Sequence, residues 1–521
     1  MKNRFKQTML NSGISVIAQF SSLVLKFVTQ TIFIQILGAA FLGTQSFFVN
    51  LMLFLSCLEF GVSSAFVYAL YDPLAHHKHD QIGALIGLFR RVYHWLCGLS
   101  AVVGLGFMAG LYLAHYDREL IANWQWAYLL VLANYLLFFL NENKRQLLIA
   151  DQMGYVSVIN QCVILAVQTG LQVVSLLLWS NYLIFLIIQL VCTLGGNLAV
   201  SWQVRRRYPY LKKYRHASIP AVVLEKLKRN LKGLVSYKLS TIITTSKDGL
   251  LIGLLVSVHA GGLYANYTLI VSGIMLMLTQ MISSVTSSVG NLTATTGNEN
   301  VEKVEKVFMT HYFVNFACTL VASACLLGLL NPFIMLWVGK SYVLSKTTVI
   351  LIVLIFACNQ MRETAIIFIT AYGLFFPLGI KAVVEVVVSI GLSVILVTQA
   401  HLGINGILLG TLASQLAVNL WWEPFIVYRY GLQLSSRTYL RRSLRYWGSL
   451  LLALLLIANY LPTQLLTNAW LNVGGLFGIV LVGSLGWVYV GHHRQTEFAE
   501  TKGLISNVRY LVVSTLQKRS A

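Results

Sequence analysis

The chain alternates long apolar runs with short polar connectors. Fourteen runs are long enough to cross a bilayer, at 10–36, 45–70, 84–114, 124–141, 155–178, 180–202, 234–257, 262–290, 308–331, 346–372, 375–399, 402–428, 445–461 and 470–491. A spanning helix needs roughly 20 mainly apolar residues. The alternating ten-residue segments of a membrane barrel are absent from the sequence. The pattern therefore predicts an all-α polytopic membrane protein with about 14 transmembrane helices. The anomalies are charges inside the runs: Lys26, the adjacent Lys247 and Asp248, the adjacent Arg362 and Glu363, and Lys381 with Glu385. Each costs a few kcal/mol near a bilayer centre and so marks a site or a pathway.

Composition agrees with the pattern. The chain is 57% hydrophobic and only 11% charged, with a mean hydropathy of +0.72, a balance that no soluble domain of this size could bury. The basic N-terminal residues Lys2, Arg4 and Lys6 precede a run too long for a signal peptide, so the first run is read as a retained span. The seven cysteines (57, 97, 162, 192, 318, 325 and 358) all lie in apolar runs, without a CxxC or Cys/His cluster. They predict neither a disulfide framework nor a zinc site. His76, His77 and His79 form a short tract without an acid set suited to metal.

The net charge of +21 is placed by topology. With connectors taken alternately as inside and outside, beginning inside, thirty of the 38 Lys and Arg fall in inside segments. Three (Arg118, Lys340, Lys346) fall outside, and five (Lys26, Lys238, Lys247, Arg362, Lys381) lie within spans. This asymmetry predicts an even number of spans with both termini in the cytoplasm. The basic stretch from Arg205 to Lys232 shows no base-stacking aromatic pattern along its length, its aromatics being Tyr208, Tyr210 and Tyr214 alone, which argues against nucleic acid and for a topology anchor on anionic lipid.

That stretch divides the chain. The expected organisation is a lobe of spans 1–6 over 1–203, a basic cytoplasmic connector over 204–233, a second lobe of spans 7–12 over 234–430, and spans 13–14 with a cytoplasmic tail over 431–521. Six-span parallel repeats are a common transporter plan. A weak internal echo supports it: superposing Gly43 on Gly262 brings Lys26 opposite Thr245, two residues from Lys247.

Several stretches carry a family likeness. Ile36-Leu37-Gly38 with Phe41-Leu42-Gly43, then Leu58-Glu59-Phe60-Gly61-Val62 with Ala65 and Tyr68-Ala69-Leu70-Tyr71, resembles the start of polysaccharide repeat-unit flippases of the multidrug/oligosaccharidyl-lipid/polysaccharide exporter superfamily. Asn143 through Gln152, Gly262 through Tyr267, and Gly290-Asn291-Leu292 are similar to stretches of the same family's Gram-positive members. The likeness runs to about residue 430 and fades over the last two spans. It implies two six-helix lobes around a central cavity plus two C-terminal helices. It also implies movement of undecaprenyl-diphosphate-linked oligosaccharide repeat units from the inner to the outer leaflet of a bacterial cytoplasmic membrane. The implied partners are membrane lipid, the lipid-linked glycan, and a polysaccharide polymerase and glycosyltransferases. The family has no strict catalytic signature. Glu59 stands where such proteins commonly hold an acid.

The buried charges supply the candidate site. A diphosphate calls for cations, and sugar hydroxyls call for Gln, Asn and Tyr. Lys26, Lys247, Arg362 and Lys381 are the candidate substrate-binding cations. Glu59, Asp248, Glu363 and Glu385 are the candidate coupling or charge-pairing groups. Gln19, Ser22, Lys26 and Thr29 or Gln30 share one helix face at 3–4 spacing; the competing reading pairs Lys26 with an acid such as Glu59. Lys247 and Asp248, as neighbours on a helix, point about 100° apart and are expected to meet different partners. Lys381 and Glu385 at i, i+4 can pair, although Lys381 also lies near enough to a helix end to snorkel. Glu423, beside Trp421, Trp422 and Pro424, reads as part of an interfacial aromatic belt.

No phosphate-binding loop or nucleophile–base constellation is recognisable, so neither an enzyme nor an ATP hydrolase is expected, and no cofactor beyond a coupling H+ or Na+. A cation-coupled multidrug exporter of the same superfamily and a peptidoglycan lipid II flippase are the alternative readings. A membrane glycan polymerase would need a larger outside loop than any present.

Overall fold

The protein is described here from a computed structural model covering residues 2–59, 61–116, 120–214, 242–283, 301–462 and 465–503. Among these residues the chain is helical throughout and falls into two compact units, Met1–Asn266 and Tyr267–Ala521. Arg215 to Lys232 of the basic stretch, Lys238 and Gly290-Asn291-Leu292 lie outside the described residues.

The first unit holds α1 (Lys2–Leu37), α2 (Ala39–Leu55), α3 (Val62–Ala75), α4 (His79–Leu113), α5 (Trp124–Ala150), α6 (Gly154–Trp179), α7 (Tyr182–Arg207), α8 (242–255) and the opening of α9 (Val258–Ser283). The second holds the rest of α9, then α10 (Val301–Trp337), α11 (Lys346–Ala371), α12 (Phe375–Thr398), α13 (Ile404–Leu432), α14 (Arg437–Tyr460) and α15 (Ala469–His492). Each of the fourteen expected spans has a helix among the described residues. Among the described residues eleven helices are long and apolar enough to cross a membrane. The other three are α5 and α14, whose ends carry charges, and α8, whose described part is short.

Several boundaries differ from expectation. The second run, expected as one span over 45–70, is a broken helix: α2 ends in a 3-10 turn, Ser56–Glu59, and α3 starts after Gly61. Gly61 has φ 71°, a left-handed conformation that a side chain would strain. The fourth run, expected to end at 141, continues to Ala150. The sequence Asn141-Glu142-Asn143-Lys144-Arg145-Gln146 looked like a cytoplasmic connector, but Glu142, Asn143 and Arg145 are buried within the unit. The helix period persists through them to Leu147 and Leu148, both buried.

In the first unit α1 packs on α6, α4 on α5, α5 on α7, and α3 on α4 and α5. Phe66 stacks on Phe89 at 4.0 Å between ring centroids, in a core with Leu85, Tyr93, Leu147 and Val200. In the second unit α10 is the central helix, contacting α11, α14 and α15. Phe316 stacks on Tyr446 of α14 at 4.5 Å and meets His492 of α15 edge-on at 5.0 Å, so the last two spans are built into the unit. Large apolar side chains such as Val102, Leu198, Trp202, Leu444 and Val482 face outward, as lipid-facing positions require.

The echo between Gly43 and Gly262 has a structural counterpart within the first unit. A Cβ on Gly43 would strike the Val258 carbonyl oxygen, and a Cβ on Gly262 would strike the Ala39 carbonyl oxygen. The offset that separates Gly43 from Gly262 also separates Ala39 from Val258. The contact is therefore reciprocal, as across a two-fold axis. Gly249 against Asn50 and Gly253 against Phe47 extend the close approach of α2 to α8, the small-residue packing that lets membrane helices touch backbone to backbone.

Gly43→Leu should lower the thermal midpoint of the detergent-solubilised protein by an amount matching overpacking, about 1–3 kcal/mol or more. Gly98→Leu, where a Cβ meets nothing within 4 Å, should leave it nearly unchanged. Equal midpoints for the two variants would show that the close approach is not needed.

Candidate functional site

A cavity of about 520 Å³ lies in the first unit, walled by α1, α2, α5, α6 and α7. Its cations are Lys26 and Arg145, and its other polar lining is mainly amide: Gln45, Asn134, Asn160, Gln161, Gln168 and Gln189. No carboxylate is among the described lining residues. Ser22 and Lys26 of the predicted α1 stripe face this space. Thr29 and Gln30 do other work, since the Thr29 hydroxyl bonds the Leu25 carbonyl at 2.9 Å and Gln30 donates to Asn266 at 2.6 Å.

Lys26 makes no hydrogen bond or ion pair with any described side chain. It is not paired with Glu59. That carboxylate ends the 3-10 turn and accepts from the backbone N–H of Ser63 at 3.2 Å and from the Ser63 hydroxyl, which also contacts the Tyr93 hydroxyl at 2.8 Å. The break in the second span carries Glu59 into this local network, where the α3 N-terminus favours its negative charge.

Arg145 is not among the residues the sequence singles out, because composition assigns its stretch to a polar connector. The signal was present: Asn134, Phe138, Asn141 and Arg145 keep 3–4 spacing, and Leu147-Leu148 resumes the apolar face. Arg145 donates to Asn197 at 3.0 Å, and its guanidinium stands 5.5 Å from the Phe138 ring centroid. No carboxylate lies within ion-pair distance of it among the described residues, and its Nε has no partner. Lys144 is held by Asn141 and Ser201, both at 2.7 Å.

Lys247 and Asp248 were expected to diverge. They pair instead, Nζ to Oδ1 at 2.9 Å, with both side chains largely buried. A four-carbon lysine stem is long enough to curl back around the helix, so a 100° separation at Cβ does not fix where the ammonium ends.

The remaining candidates converge in the second unit. The Arg362 guanidinium grips Glu423 with two nitrogens, Nε at 3.0 Å from Oε2 and Nη2 closing on Oε1, the bidentate geometry suited to Arg and carboxylate. Its Nη1 lies 3.6 Å from Glu385. The Lys381 ammonium bridges both acids, at 2.8 Å from Glu385 and 2.7 Å from Glu423. Asn419 donates to Glu385 at 2.8 Å. Two cations and two carboxylates make a neutral cluster that is almost wholly buried: Glu423 is 0% exposed and Lys381 1%.

This cluster corrects three readings. Lys381 pairs with Glu385, as the i, i+4 spacing allows, and does not snorkel. Glu423 is not an interfacial residue but the acid that ties Arg362 to Lys381. Glu363 is not the partner of Arg362, because adjacent helix positions face apart and Glu423 from α13 is better placed; Glu363 makes no ion pair among the described residues. Glu423 is carried between two π-helical stretches, Gln415–Asn419 and Val427–Leu432. Such widened turns re-aim side chains and are frequent at functional sites. A small cavity of about 20 Å³ adjoins the cluster, lined in part by Arg362, Gln415 and Asn419.

No family model matches the chain, and no curated protein matches it. Its fold does match solved structures. An inward-facing multidrug resistance MATE family transporter of the MOP superfamily aligns over 81% of this chain and 99% of its own, with TM-score 0.62 and 14% identity. The lipid II flippase MurJ in an inward closed conformation aligns over 91% and 98%, with TM-score 0.61 and 14% identity. A mutant of the Vibrio cholerae MATE transporter VcmN aligns over 83% and 98%, with TM-score 0.53 and 11% identity. The chain is thus a multi-pass membrane protein with the fold of MOP superfamily transporters.

Removing one member of the second unit's cluster leaves an uncompensated buried charge. Glu423→Gln should therefore destabilise the protein by about 3–5 kcal/mol, and Glu363→Gln by much less. A double change, Arg362→Met with Glu423→Gln, should cost less than the two single changes summed. Thermal unfolding in detergent measures all four, and strict additivity would show that the charges do not act as a unit.

Proposed function

We propose that this chain is a flippase for undecaprenyl-diphosphate-linked oligosaccharide repeat units, moving them by alternating access from the inner to the outer leaflet of a bacterial cytoplasmic membrane for surface polysaccharide synthesis. One observation carries the reading: a 520 Å³ cavity whose charged lining is Lys26 and Arg145, surrounded by amides and without a described carboxylate. Such a lining suits an anionic, hydroxyl-rich head group. Lys26 meets a diphosphate as a point charge, Arg145 presents a planar fork to a second anionic oxygen, and the Gln and Asn side chains exchange hydrogen bonds with sugar hydroxyls. The lipid tail has no need of the cavity and stays in the bilayer.

The same lining weighs against a cation-coupled multidrug exporter, which needs acids to hold cationic drugs. It fits a peptidoglycan lipid II flippase as well, since that substrate is also a diphosphate-linked sugar, and MurJ shares the fold. The two are separated by which lipid-linked intermediate accumulates when the protein is lost. The reading implies no catalytic step by this chain, both termini in the cytoplasm, and glycosyltransferases and a polymerase acting before and after it.

The test is a clean deletion with leaflet-resolved analysis of the lipid-linked glycan. Accumulation on the inner leaflet supports the reading, and undiminished outer-leaflet delivery in a strain without a second transporter refutes it. Complementation with Lys26→Gln or Arg145→Gln should restore membrane abundance but leave transport about tenfold or more below wild type, from loss of charge-assisted bonds at about 1.5–3 kcal/mol each. Full transport by both variants would remove the cations from the mechanism.

A further inference from the structure

A second titratable group sits behind the cavity wall. Glu142 is on α5, three residues before Arg145, and only 5% exposed. Its Oε1 accepts from Gln146 at 2.5 Å, and its Oε2 is buried with no partner. An ionised carboxylate accepts hydrogen bonds at both oxygens, and leaving one dry and unmet is costly. A protonated carboxyl removes most of that cost, because burial of a neutral group is far cheaper than burial of a charge.

The surroundings set two opposing pulls on the proton. On the same helix Arg145 attracts the ionised form, although no ion pair forms within 4.0 Å. Glu59, from the turn after α2, repels it. Tyr93 of α4 faces the same space, bonded to Ser63 and through it to Glu59. Lys144 points instead to Asn141 and Ser201, on the side where Arg90 of α4 and Arg205 of α7 lie. From α7 this stretch is met by Asn197 and Ser201, which carry no charge. The titratable groups of α3 (Tyr68, Tyr71 and Asp72) are turned outward, α2 has none, and α6 brings Tyr155 and Cys162.

We infer that Glu142 is a proton site linked to anion binding in the first unit's cavity, through Arg145. The inference rests on the reading that the cavity takes an anionic head group. With the cavity empty, the Arg145 charge offsets part of the cost of ionising Glu142, so that raising the pH takes its proton off. When an anion engages Arg145, that charge is shared, the ionised form of Glu142 loses its support and gains a second negative neighbour, and Glu142 takes a proton from solvent. Binding of the anion and uptake of one proton are then a single linked event, and release of one favours release of the other.

The probe is geranyl diphosphate, a soluble prenyl diphosphate, titrated into the detergent-solubilised full chain by calorimetry in buffers of different ionisation heat. Proton uptake from the ligand's own titration is present in every variant, so the quantity read is the difference between variants. Wild type should take up close to one proton more than Glu142→Gln near the midpoint of the linkage. Its affinity should rise as pH falls more steeply than that of Glu142→Gln, by up to about tenfold per pH unit. Glu142→Gln should bind with the affinity that wild type reaches at low pH, and Glu142→Asp should keep the proton uptake. If Glu142→Gln does not fold, wild type alone decides, since uptake no greater than the ligand's own titration overturns the proposal. Equal uptake by wild type and Glu142→Gln, with binding intact, overturns the linkage and leaves the cavity reading standing. Absence of binding at every pH overturns the cavity reading, and the linkage with it.

Discussion

The cost of a charge in an apolar medium governs this molecule. Taking an ion out of water costs several kcal/mol even after relaxation, and a chain that keeps so many charges among its apolar helices has to answer each one. Each unit answers differently. In the second, Arg362, Lys381, Glu385 and Glu423 neutralise one another within hydrogen-bonding distance. In the first, Lys247 and Asp248 pair, but Lys26 stands at a polar cavity with no acid among its described lining. A neutral, saturated cluster holds helices in register. A cation with no described anion beside it is open to a ligand, which is the ground of the proposed function.

That contrast reassigns the work of the charged residues. The second unit's cluster joins α11, α12 and α13 through side chains that share every carboxylate oxygen, so its members stand or fall together. Three of its four members had looked like substrate contacts or coupling groups, and the fourth like a membrane anchor. The cavity cations are fewer and less conspicuous: one lysine deep in the first span, and one arginine in a stretch that reads as a loop. Amides complete the lining because they give and accept hydrogen bonds without adding charge, the property a hydroxyl-rich ligand demands.

The close approach of α2 to α8 and α9 is the other fixed point. Gly43 and Gly262 each face the backbone of the other segment at the same offset along the chain. A contact of that kind is legible in sequence as a faint echo of small residues. Its reciprocity is visible only when both segments are placed together.

The sequence by itself determined the class, because the bilayer imposes length and hydropathy on every span. Fourteen apolar runs, basic residues gathered in alternate connectors and the absence of a disulfide or nucleotide-binding pattern are all legible in local composition. It also located most of the chemistry, since Lys26, Arg362, Lys381 and Glu385 announced themselves by being charged in apolar company. Tertiary structure decided which charges meet. Pairing depends on distances between helices that are remote in the chain, such as α11 and α13 for Arg362 and Glu423, and on the reach of flexible stems, as with Lys247 and Asp248. It also decided that Glu142 and Arg145 lie inside. A helix buried against polar neighbours can carry charges that composition alone assigns to solvent.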